Sequence, residues 1–167
     1  KLFFIDGPAF FCYKSTMPDY IKEYSDLNPK ERRQLAVKRH YKSQNPEWDD
    51  SMVLLTKLVK ERLPDRPVRV LDAGCGNGNF VIDELPDRWS EKIGLDVSPE
   101  VTRLNTCLDK IEYGRLEKLP FEDSSFDCVI SLWVFEHVED PLTVFKEIHR
   151  VLKPGGIFAF VKKKKNG

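Results

Sequence analysis

Short apolar runs alternate with helix-like stretches of about a dozen residues from Val68 onward. This rhythm is typical of βαβ units, in which helices connect the strands of a parallel sheet. We therefore predict an α/β fold with a doubly wound parallel sheet and helices on both faces. The predicted strands are Val68–Leu71, Lys92–Leu95, Ile111–Tyr113, Phe126–Ser131 and Gly156–Val161.

Two helix starts are marked between these strands. Ser98 can cap a helix whose first turn contains Pro99, and Asp140 can do the same ahead of Pro141. The second helix is expected to end before Pro154, because a proline cannot continue it. This helix is predicted to pack on the sheet through an apolar stripe of Leu142, Phe145, Ile148 and Leu152.

The part of the chain before the first strand carries helical patterns. One capped helix is predicted to begin at Asn28 and a second near Asp50. The second has an apolar face of Leu55, Leu58, Val59 and either Arg62 or Leu63. Because Pro64–Pro67 is a short connection, we predict one domain, in which residues 1–66 form a helical lid segment over the core of residues 67–167.

The last predicted strand, Gly156–Val161, is followed by the six residues Lys162–Gly167. A further strand pair with its turn needs more residues than this. We therefore expect the strand to present an unpaired apolar edge, which recruits other chains unless it is covered. Two alternatives follow: the sequence is a fragment of a longer chain, which is the favoured one, or the chain forms a homodimer through this edge.

Composition and charge narrow the class of protein. The 167 residues are 41% hydrophobic and 32% charged, as in folded globular chains. Lys and Arg total 27, as do Asp and Glu, so no net charge favours nucleic acid or anionic lipid as a partner. No apolar run has the length of a membrane span. Four cysteines without a CxxC pair indicate neither disulfides nor zinc, so we expect a cytoplasmic protein without a metal.

A glycine-rich turn follows the first predicted strand directly, from Asp72 to Gly78. Glycines at this place let the backbone approach a ligand closely. Asn79 stands where a dinucleotide fingerprint needs glycine or alanine, which disfavours NAD, and no Lys-Ser/Thr pair follows to form a phosphate loop. Asp96 ends the second strand, where a carboxylate can accept hydrogen bonds from a ribose diol. Together these features predict a nucleoside-like ligand.

Several motifs resemble those of the class I S-adenosylmethionine-dependent methyltransferases. Val70–Gly78 is similar to their first motif, and Gly94–Ser98 is similar to their ribose-binding strand end. Leu119–Asp127 resembles the approach to their fourth strand. Glu136–Pro141 and Arg150–Gly156 resemble the small-molecule branch that includes quinone-biosynthesis enzymes. The resemblance implies a Rossmann-like fold, S-adenosylmethionine as cofactor and methyl transfer to a small-molecule acceptor.

The resemblance also implies where the cofactor binds. The methionine moiety would lie over the glycine turn, with its carboxylate near backbone N–H groups at a helix start, and the adenine beside Val97. Arg115 departs from the pattern, because the family commonly has an acid there for the adenine amine; either Glu117 substitutes, or backbone and apolar contacts hold the ring. The implied cofactor-binding residues are Asp72, Ala73, Gly74, Cys75, Gly76, Asp96, Val97, Leu116, Glu117, Ser131 and Trp133.

Methyl transfer requires no particular catalytic residue, because an in-line approach of the two reacting groups supplies much of the rate. Trp133 either lies against the sulfonium as an aromatic face or is part of the core. His137 is a candidate general base, although a structural role in its loop is favoured. Cys75 and Cys128 are expected to pack rather than to react. We therefore assign no catalytic residue.

Two other functions stay open. A protein of this fold could bind the cofactor and act as a regulator or scaffold without transferring a methyl group. An NAD-dependent oxidoreductase is the other alternative, and Asn79 disfavours it. Incubation with a labelled cofactor separates the first alternative from an enzyme, because an enzyme transfers the label whereas a scaffold binds the cofactor without transfer.

Overall fold

The computed structural model describes the backbone of residues 10–11 and 48–162, and the side chains from Met52 to Lys162. Its strands form one sheet, in which every pair is parallel and the order is β1-β6-β5-β2-β3-β4. In chain order the strands are β1 (Phe10–Phe11), β2 (Val68–Ala73), β3 (Trp89–Asp96), β4 (Lys110–Tyr113), β5 (Phe126–Leu132) and β6 (Leu152–Val161). The predicted doubly wound parallel sheet is confirmed.

The described helices connect these strands or precede them. They are α1 (Trp48–Arg62), α2 (Phe80–Glu84), α3 (Pro99–Thr102) and α4 (Pro141–Val151), with a 3-10 turn at Pro86–Arg88. Both predicted helix caps are confirmed. Ser98 Oγ accepts a hydrogen bond from the Val101 N–H, and Asp140 Oδ1 accepts one from the Thr143 N–H.

Apolar side chains fill both faces of the sheet, and β2 shows why. Val68 and Val70 point to the face covered by α1 and α2, whereas Leu71 and Ala73 point to the face covered by α4. Each of these four side chains is fully buried. A strand that is apolar on both faces is typical of a parallel sheet between two helical layers.

Helix α1 confirms the helix predicted near Asp50 and packs on the sheet. Its buried face consists of Met52, Leu55 and Val59, with Leu63 just after the helix end. Helix α1 therefore belongs to the same hydrophobic core as the strands. The division into a lid segment and a core stays a prediction, and the helix predicted from Asn28 lies outside the described residues.

The apolar face of α4 differs from the predicted stripe. The buried residues are Val144, Ile148 and Val151, whereas Leu142 is 64% exposed. Leu152 already belongs to β6 and pairs with Phe126 of β5. The predicted places of Leu142 and Leu152 were therefore wrong, because strand pairing begins two residues before the proline and ends the helix at Val151.

Strand β1 gives β6 a neighbour on the side away from β5. Phe10 and Phe11 pair in parallel with Phe158 and Ala159. The expectation of an unpaired edge is therefore wrong at these two positions, because a segment near the start of the chain supplies a strand that the sequence pattern did not reveal. Among the described helices, none combines the length and the apolar character that a membrane span requires.

Candidate functional site

The glycine turn after β2 is tied to the end of β3. The N–H groups of Gly74 and Cys75 both donate to the carbonyl oxygen of Leu95, at 2.8 and 3.1 Å. Gly74 and Gly76 have φ angles of +81° and +44°, in the left-handed region that side chains disfavour. The sequence can therefore make this reversal because glycine stands at both positions.

Two glycines allow close packing here, and a third has only one ordinary van der Waals neighbour. A Cβ at Gly74 would lie 2.9 Å from Val134 Cγ1, and one at Gly94 would lie 2.7 Å from the Cys75 sulfur. A Cβ at Gly76 would instead have Val101 Cγ1 as its nearest neighbour, at 3.9 Å. The protein thus leaves room beside Gly76, at the carboxyl edge of the sheet.

The Asp96 carboxylate faces this turn from the end of β3. Its Oδ2 accepts from the Gly76 N–H at 2.9 Å, and its Oδ1 accepts from the Ser98 N–H at 3.0 Å. Each oxygen keeps a further lone pair, since an ionised carboxylate has about four acceptor sites. The Gly114 N–H donates to the Asp96 carbonyl oxygen, which brings the end of β4 to the same place. Asp96 can therefore accept two more donors.

Asp72 is buried directly beneath the turn, with 1% of its surface exposed. Its Oδ1 accepts from Asn79 Nδ2 at 2.8 Å, while its Oδ2 has no partner. Burial raises the pKa of Asp72 to about 7; the Asn79 hydrogen bond opposes this rise, and the charges of Asp96 and Asp83 add to it. Near neutral pH this carboxyl group is therefore poised between its two protonation states.

Buried polar atoms without a partner gather at this edge. Among the described side chains these atoms are Asp72 Oδ2, Asn77 Oδ1, Trp133 Nε1 and Arg88 Nε. The first three belong to the ends of β2 and β5 or to the glycine turn, and Arg88 precedes β3 at the opposite edge. Each such atom costs about 1–3 kcal/mol, so the three at or beside the ends of β2 and β5 are groups that a ligand with both donors and acceptors can satisfy.

The end of β5 is fixed to its neighbours by Ser131 and Trp133. Ser131 Oγ donates to the Ala73 carbonyl oxygen at 2.8 Å, and both residues are fully buried. The Trp133 N–H donates to the Val161 carbonyl oxygen, with φ at +61°, which is strained for a large side chain. The half-buried indole packs against the core beneath α1 and α2. Both predicted residues thus lie at the expected edge, with the Ser131 hydroxyl bonded to the protein.

The predicted adenine edge is a mixture of apolar surface and charge. Val97 is 67% exposed, whereas Leu116 is buried in the core beneath α4. Arg115 pairs with Glu117 at 3.5 Å, so the Glu117 carboxylate already has a cation beside it. Other exposed apolar side chains near Val97 in the chain are Val101, Leu104 and Tyr113. The arrangement offers an apolar surface beside Asp96, and Leu116 faces the core.

Two asparagines whose contacts we did not predict contribute to the turn. Asn105 Nδ2 donates to the carbonyl oxygens of Cys75 and Gly76, at 3.3 and 3.0 Å. Asn79 Oδ1 accepts from the N–H groups of Val81 and Ile82, and so caps α2. We expected N–H groups at this helix start to bind the ligand's carboxylate. The Val81 and Ile82 N–H groups cannot do so, because both already donate to Asn79. An asparagine before a helix is a capping signal, but nothing in the sequence marked Asn105.

The remaining chemical candidates have structural surroundings. Burial raises the pKa of the Cys75 thiol, with Asp72 and Asp96 adding to the rise, and burial likewise raises the pKa of Cys128. A thiol that stays protonated is a poor nucleophile. His137 is exposed, and its backbone N–H donates to the Val134 carbonyl oxygen. The capping role near α4 belongs to Asp140.

Known proteins match this chain in both sequence and fold. The family described as "Methyltransferase domain" matches residues 71–160. A malonyl-[acyl-carrier protein] O-methyltransferase of Dechloromonas aromatica is 31% identical over 86% of this chain and 55% of its own length. A demethylmenaquinone methyltransferase of Bacillus pumilus is 33% identical over 81% of this chain and 56% of its own length.

A solved structure agrees with these matches. The S-adenosylmethionine-dependent methyltransferase of Mesorhizobium loti has a TM-score of 0.52 and 31% identity, over 62% of this chain and 51% of that one. The chain spans about half the length of the two curated relatives named above. Because the family match covers more than half of the 167 residues and the sheet has the same fold, the chain belongs to the methyltransferase domain family, within the class I S-adenosylmethionine-dependent methyltransferases.

Proposed function

We propose that this chain binds S-adenosylmethionine at the carboxyl edge of β2 and β3 and transfers its methyl group to a small-molecule acceptor. One observation carries the proposal: the Gly76 N–H holds the Asp96 carboxylate at the end of β3, and on the neighbouring strand the buried Oδ2 of Asp72 has no partner. A ligand in this place meets two separate acids. S-adenosylmethionine has hydroxyl donors at one end and an ammonium group at the other, and so fits both.

The methionine end of the cofactor belongs beside Asp72. A buried carboxylate oxygen without a partner needs a donor, and a cation satisfies it best. The ligand's ammonium group supplies both. Asn77 Oδ1, the other unpartnered acceptor of the turn, can take a further N–H of the same group.

The nucleoside end of the cofactor belongs at Asp96. The Gly76 and Ser98 N–H groups hold the carboxylate in one orientation, with a lone pair of each oxygen still free for the two ribose hydroxyls. The apolar surface that includes Val97 can lie against the adenine ring. The Arg115–Glu117 pair lies along the chain beyond Gly114, where it can meet the edge of the ring.

The bound cofactor supplies an electrophilic methyl group on a sulfonium. This chain contributes position: the turn, Asp72 and Asp96 fix the donor, and an acceptor must approach in line with the bond that breaks. No described residue is needed as a covalent intermediate, and the protonated thiol of Cys75 does not compete as a nucleophile. Whether a base such as His137 assists depends on the acceptor's acidity.

The acceptor, the compartment and the assembly stay predictions. The relatives named above are methyltransferases of malonyl-[acyl-carrier protein] and of demethylmenaquinone, which supports a small metabolite or a carried metabolite as acceptor. The cytoplasmic location is predicted from the cysteine pattern of the sequence. A homodimer through β6 would have to accommodate β1 at Phe158 and Ala159, and light scattering would detect it.

Calorimetric titration with S-adenosylhomocysteine, the product form of the cofactor, tests the binding site. We expect binding by the wild-type chain and a loss of about 5- to 150-fold in Asp96→Ala, because charge-assisted hydrogen bonds to the ribose are removed. Asp109→Ala is the matched control. Asp109 lies just before β4, at the opposite edge of the sheet, and its carboxylate accepts a hydrogen bond from the Lys92 N–H. Its removal should therefore leave the affinity unchanged.

Transfer itself is tested with a methyl-labelled cofactor and a fractionated metabolite extract. Label in a small-molecule fraction supports the proposed activity, and its absence from Asp96→Ala ties that activity to the site. Tight binding with no transfer to any fraction would instead support the regulator or scaffold. If Asp96→Ala binds as tightly as the wild type, Asp96 does not bind the ribose of the cofactor.

A further inference from the structure

Both polar atoms of the Asn79 side chain form hydrogen bonds, one with the start of α2 and the other with Asp72. Its Oδ1 accepts from the Val81 and Ile82 N–H groups at the start of α2, at 3.0 and 3.3 Å. Its Nδ2 donates to Asp72 Oδ1 at 2.8 Å. Asn79 is 2% exposed, so neither contact has water as a ready substitute. The amide is therefore fixed at both ends.

Fixing Asp72 Oδ1 determines what its other oxygen can do. Carboxylate rotation would exchange the two oxygens and aim the free lone pairs elsewhere, and the Asn79 donor opposes that rotation. Oδ2 is left buried and unpartnered. A serine or threonine could cap α2 equally well, but neither has an amide donor to reach Asp72.

We propose that Asn79 is a positioning residue of the cofactor site, which holds Asp72 so that Oδ2 receives the ammonium group of the cofactor. The inference rests on the proposed function, since it assigns the ammonium subsite of the same ligand. It differs from a capping role, because the cap uses Oδ1 of Asn79 and the positioning uses Nδ2.

The hydrogen bond from Asn79 affects the ionisation of Asp72, because the nearby charges oppose it. Asp96 at the end of β3 and Asp83 in α2 both oppose ionisation of Asp72, as does its burial, whereas the Asn79 hydrogen bond favours it. Removing the donor must therefore raise the pKa of Asp72 further above about 7. A neutral carboxyl attracts an ammonium group far less than a carboxylate does, so affinity at neutral pH should fall.

The test compares two probes in wild type and Asn79→Ser between pH 5.5 and 8.5. S-adenosylhomocysteine carries the ammonium group, and 5′-methylthioadenosine shares the nucleoside but lacks the amino acid end. For S-adenosylhomocysteine we expect the midpoint of the pH dependence to rise by about one unit, with about 5-fold weaker binding at pH 7. For 5′-methylthioadenosine we expect a change below about 2-fold.

Two further variants keep the result interpretable. Asn79→Thr repeats the change with a second capping hydroxyl, and thermal unfolding checks that each variant folds. In Asp72→Asn the midpoint should vanish, and adding Asn79→Ser to it should have no further effect on the pH profile, because the group that titrates is gone.

The outcomes separate the two ideas. A wild-type chain that binds neither probe refutes the proposed function. A wild-type chain that binds both, with an unmoved midpoint in Asn79→Ser or an equal loss for the two probes, shows that Asn79 is a cap alone and overturns the inference. A moved midpoint confined to S-adenosylhomocysteine supports it.

Discussion

Two aspartates on neighbouring strands of the same sheet have opposite surroundings. Asp127 lies near the start of β5 and accepts hydrogen bonds from Lys153 Nζ, the Arg69 N–H and Arg66. Asp72 lies near the end of β2 and accepts one, from Asn79, while its other oxygen has no partner. Because β2 and β5 are parallel, Asp72 lies where the strands end, at the carboxyl edge of the sheet, and Asp127 lies where they begin, which we call the amino edge.

The pKa values of the two groups move in opposite directions. Burial alone would raise the pKa of Asp127, but the hydrogen bonds from Lys153, Arg69 and Arg66 outweigh it and hold the pKa below its usual range. At Asp72 burial dominates, and the pKa rises to about 7. The difference therefore lies in the partners and not in the residue type.

The contrast separates the roles of the two edges. At the amino edge the protein supplies three donors for the Asp127 carboxylate, so Asp127 stabilises the fold, and Arg88 Nε is the one buried atom without a partner among the described side chains there. At the carboxyl edge the acceptors of Asp72 and Asn77 and the donor of Trp133 are left for something else. Several buried polar groups without partners at the ends of neighbouring strands are typical of a functional site.

Of all the changes proposed here, a side chain at Gly76 should lower the affinity of the carboxyl edge for its ligand most strongly. In Gly76→Val the branched side chain would fill the room beside Gly76, whose N–H bonds Asp96, and we expect at least a roughly 100-fold loss of S-adenosylhomocysteine affinity by calorimetry, about 2.7 kcal/mol. Gly155→Val is the matched control. Gly155 also has a positive φ, +76°, and open space around it, but it lies near the start of β6.

The two glycine variants share backbone strain of about 1–3 kcal/mol each. Thermal unfolding should therefore show similar losses of stability, while affinity should fall in Gly76→Val alone. Equal affinities in the two variants would mean that the space beside Gly76 is not the ligand's.

Removing Asp127 tests the other side of the comparison. We expect Asp127→Ala to lower the free energy of unfolding by about 2–3 kcal/mol, because three donors lose a charged acceptor. Denaturant titration measures this loss. Affinity for S-adenosylhomocysteine, expressed per folded molecule, should stay within about 2-fold of wild type.

Asp65→Ala gives the matched control for an exposed ion pair. Asp65 pairs with Arg88 at 3.2 Å and is fully exposed, so its removal should lower the free energy of unfolding far less than Asp127→Ala does. If Asp127→Ala costs no more than Asp65→Ala, the hydrogen bonds at the amino edge do not stabilise the fold as the contrast requires.

The strands could be predicted from the sequence, because a buried parallel strand is a short apolar run between helices. Strand β1 could not, since two residues that pair with Phe158 and Ala159 carry no periodicity of their own. The stripe of α4 was predicted correctly at Phe145 and Ile148, which pack in the core. Leu142 is exposed and Val144 is buried instead, and Leu152 already pairs in β6, where a helical period no longer applies.

The backbone of the candidate site could be predicted, because a sequence motif determines it. The side-chain contacts made from other parts of the chain could not. The glycine turn and Asp96 follow from spacing. The bonds of Asn79 to Asp72 and of Asn105 to the turn depend on tertiary approach, since 29 positions separate Asn105 from Gly76. Leu116 faces the core because the loop after β4 folds beneath α4, which no local pattern determines.

The smallest expected effect, in Asp72→Asn, tests the raised pKa of Asp72 through stability rather than through binding. In the unfolded chain this carboxyl group ionises near its ordinary value of 3.8, and in the folded chain near 7. Between these values the folded state holds more protons than the unfolded state, so the free energy of unfolding must fall as the pH rises.

We expect denaturant titrations of the ligand-free chain to show this fall between pH 5.5 and 7, by about 1–2 kcal/mol, in wild type but not in Asp72→Asn. Asp127 does not interfere, because its lowered pKa confines its effect to more acidic pH, where protonation removes stability. Saturating S-adenosylhomocysteine should reduce the fall in wild type, since the ammonium group favours the ionised carboxylate. Parallel curves for wild type and Asp72→Asn would place the pKa of Asp72 near its ordinary value, and the contrast between the two edges would then rest on Gly76 and Asp96 alone.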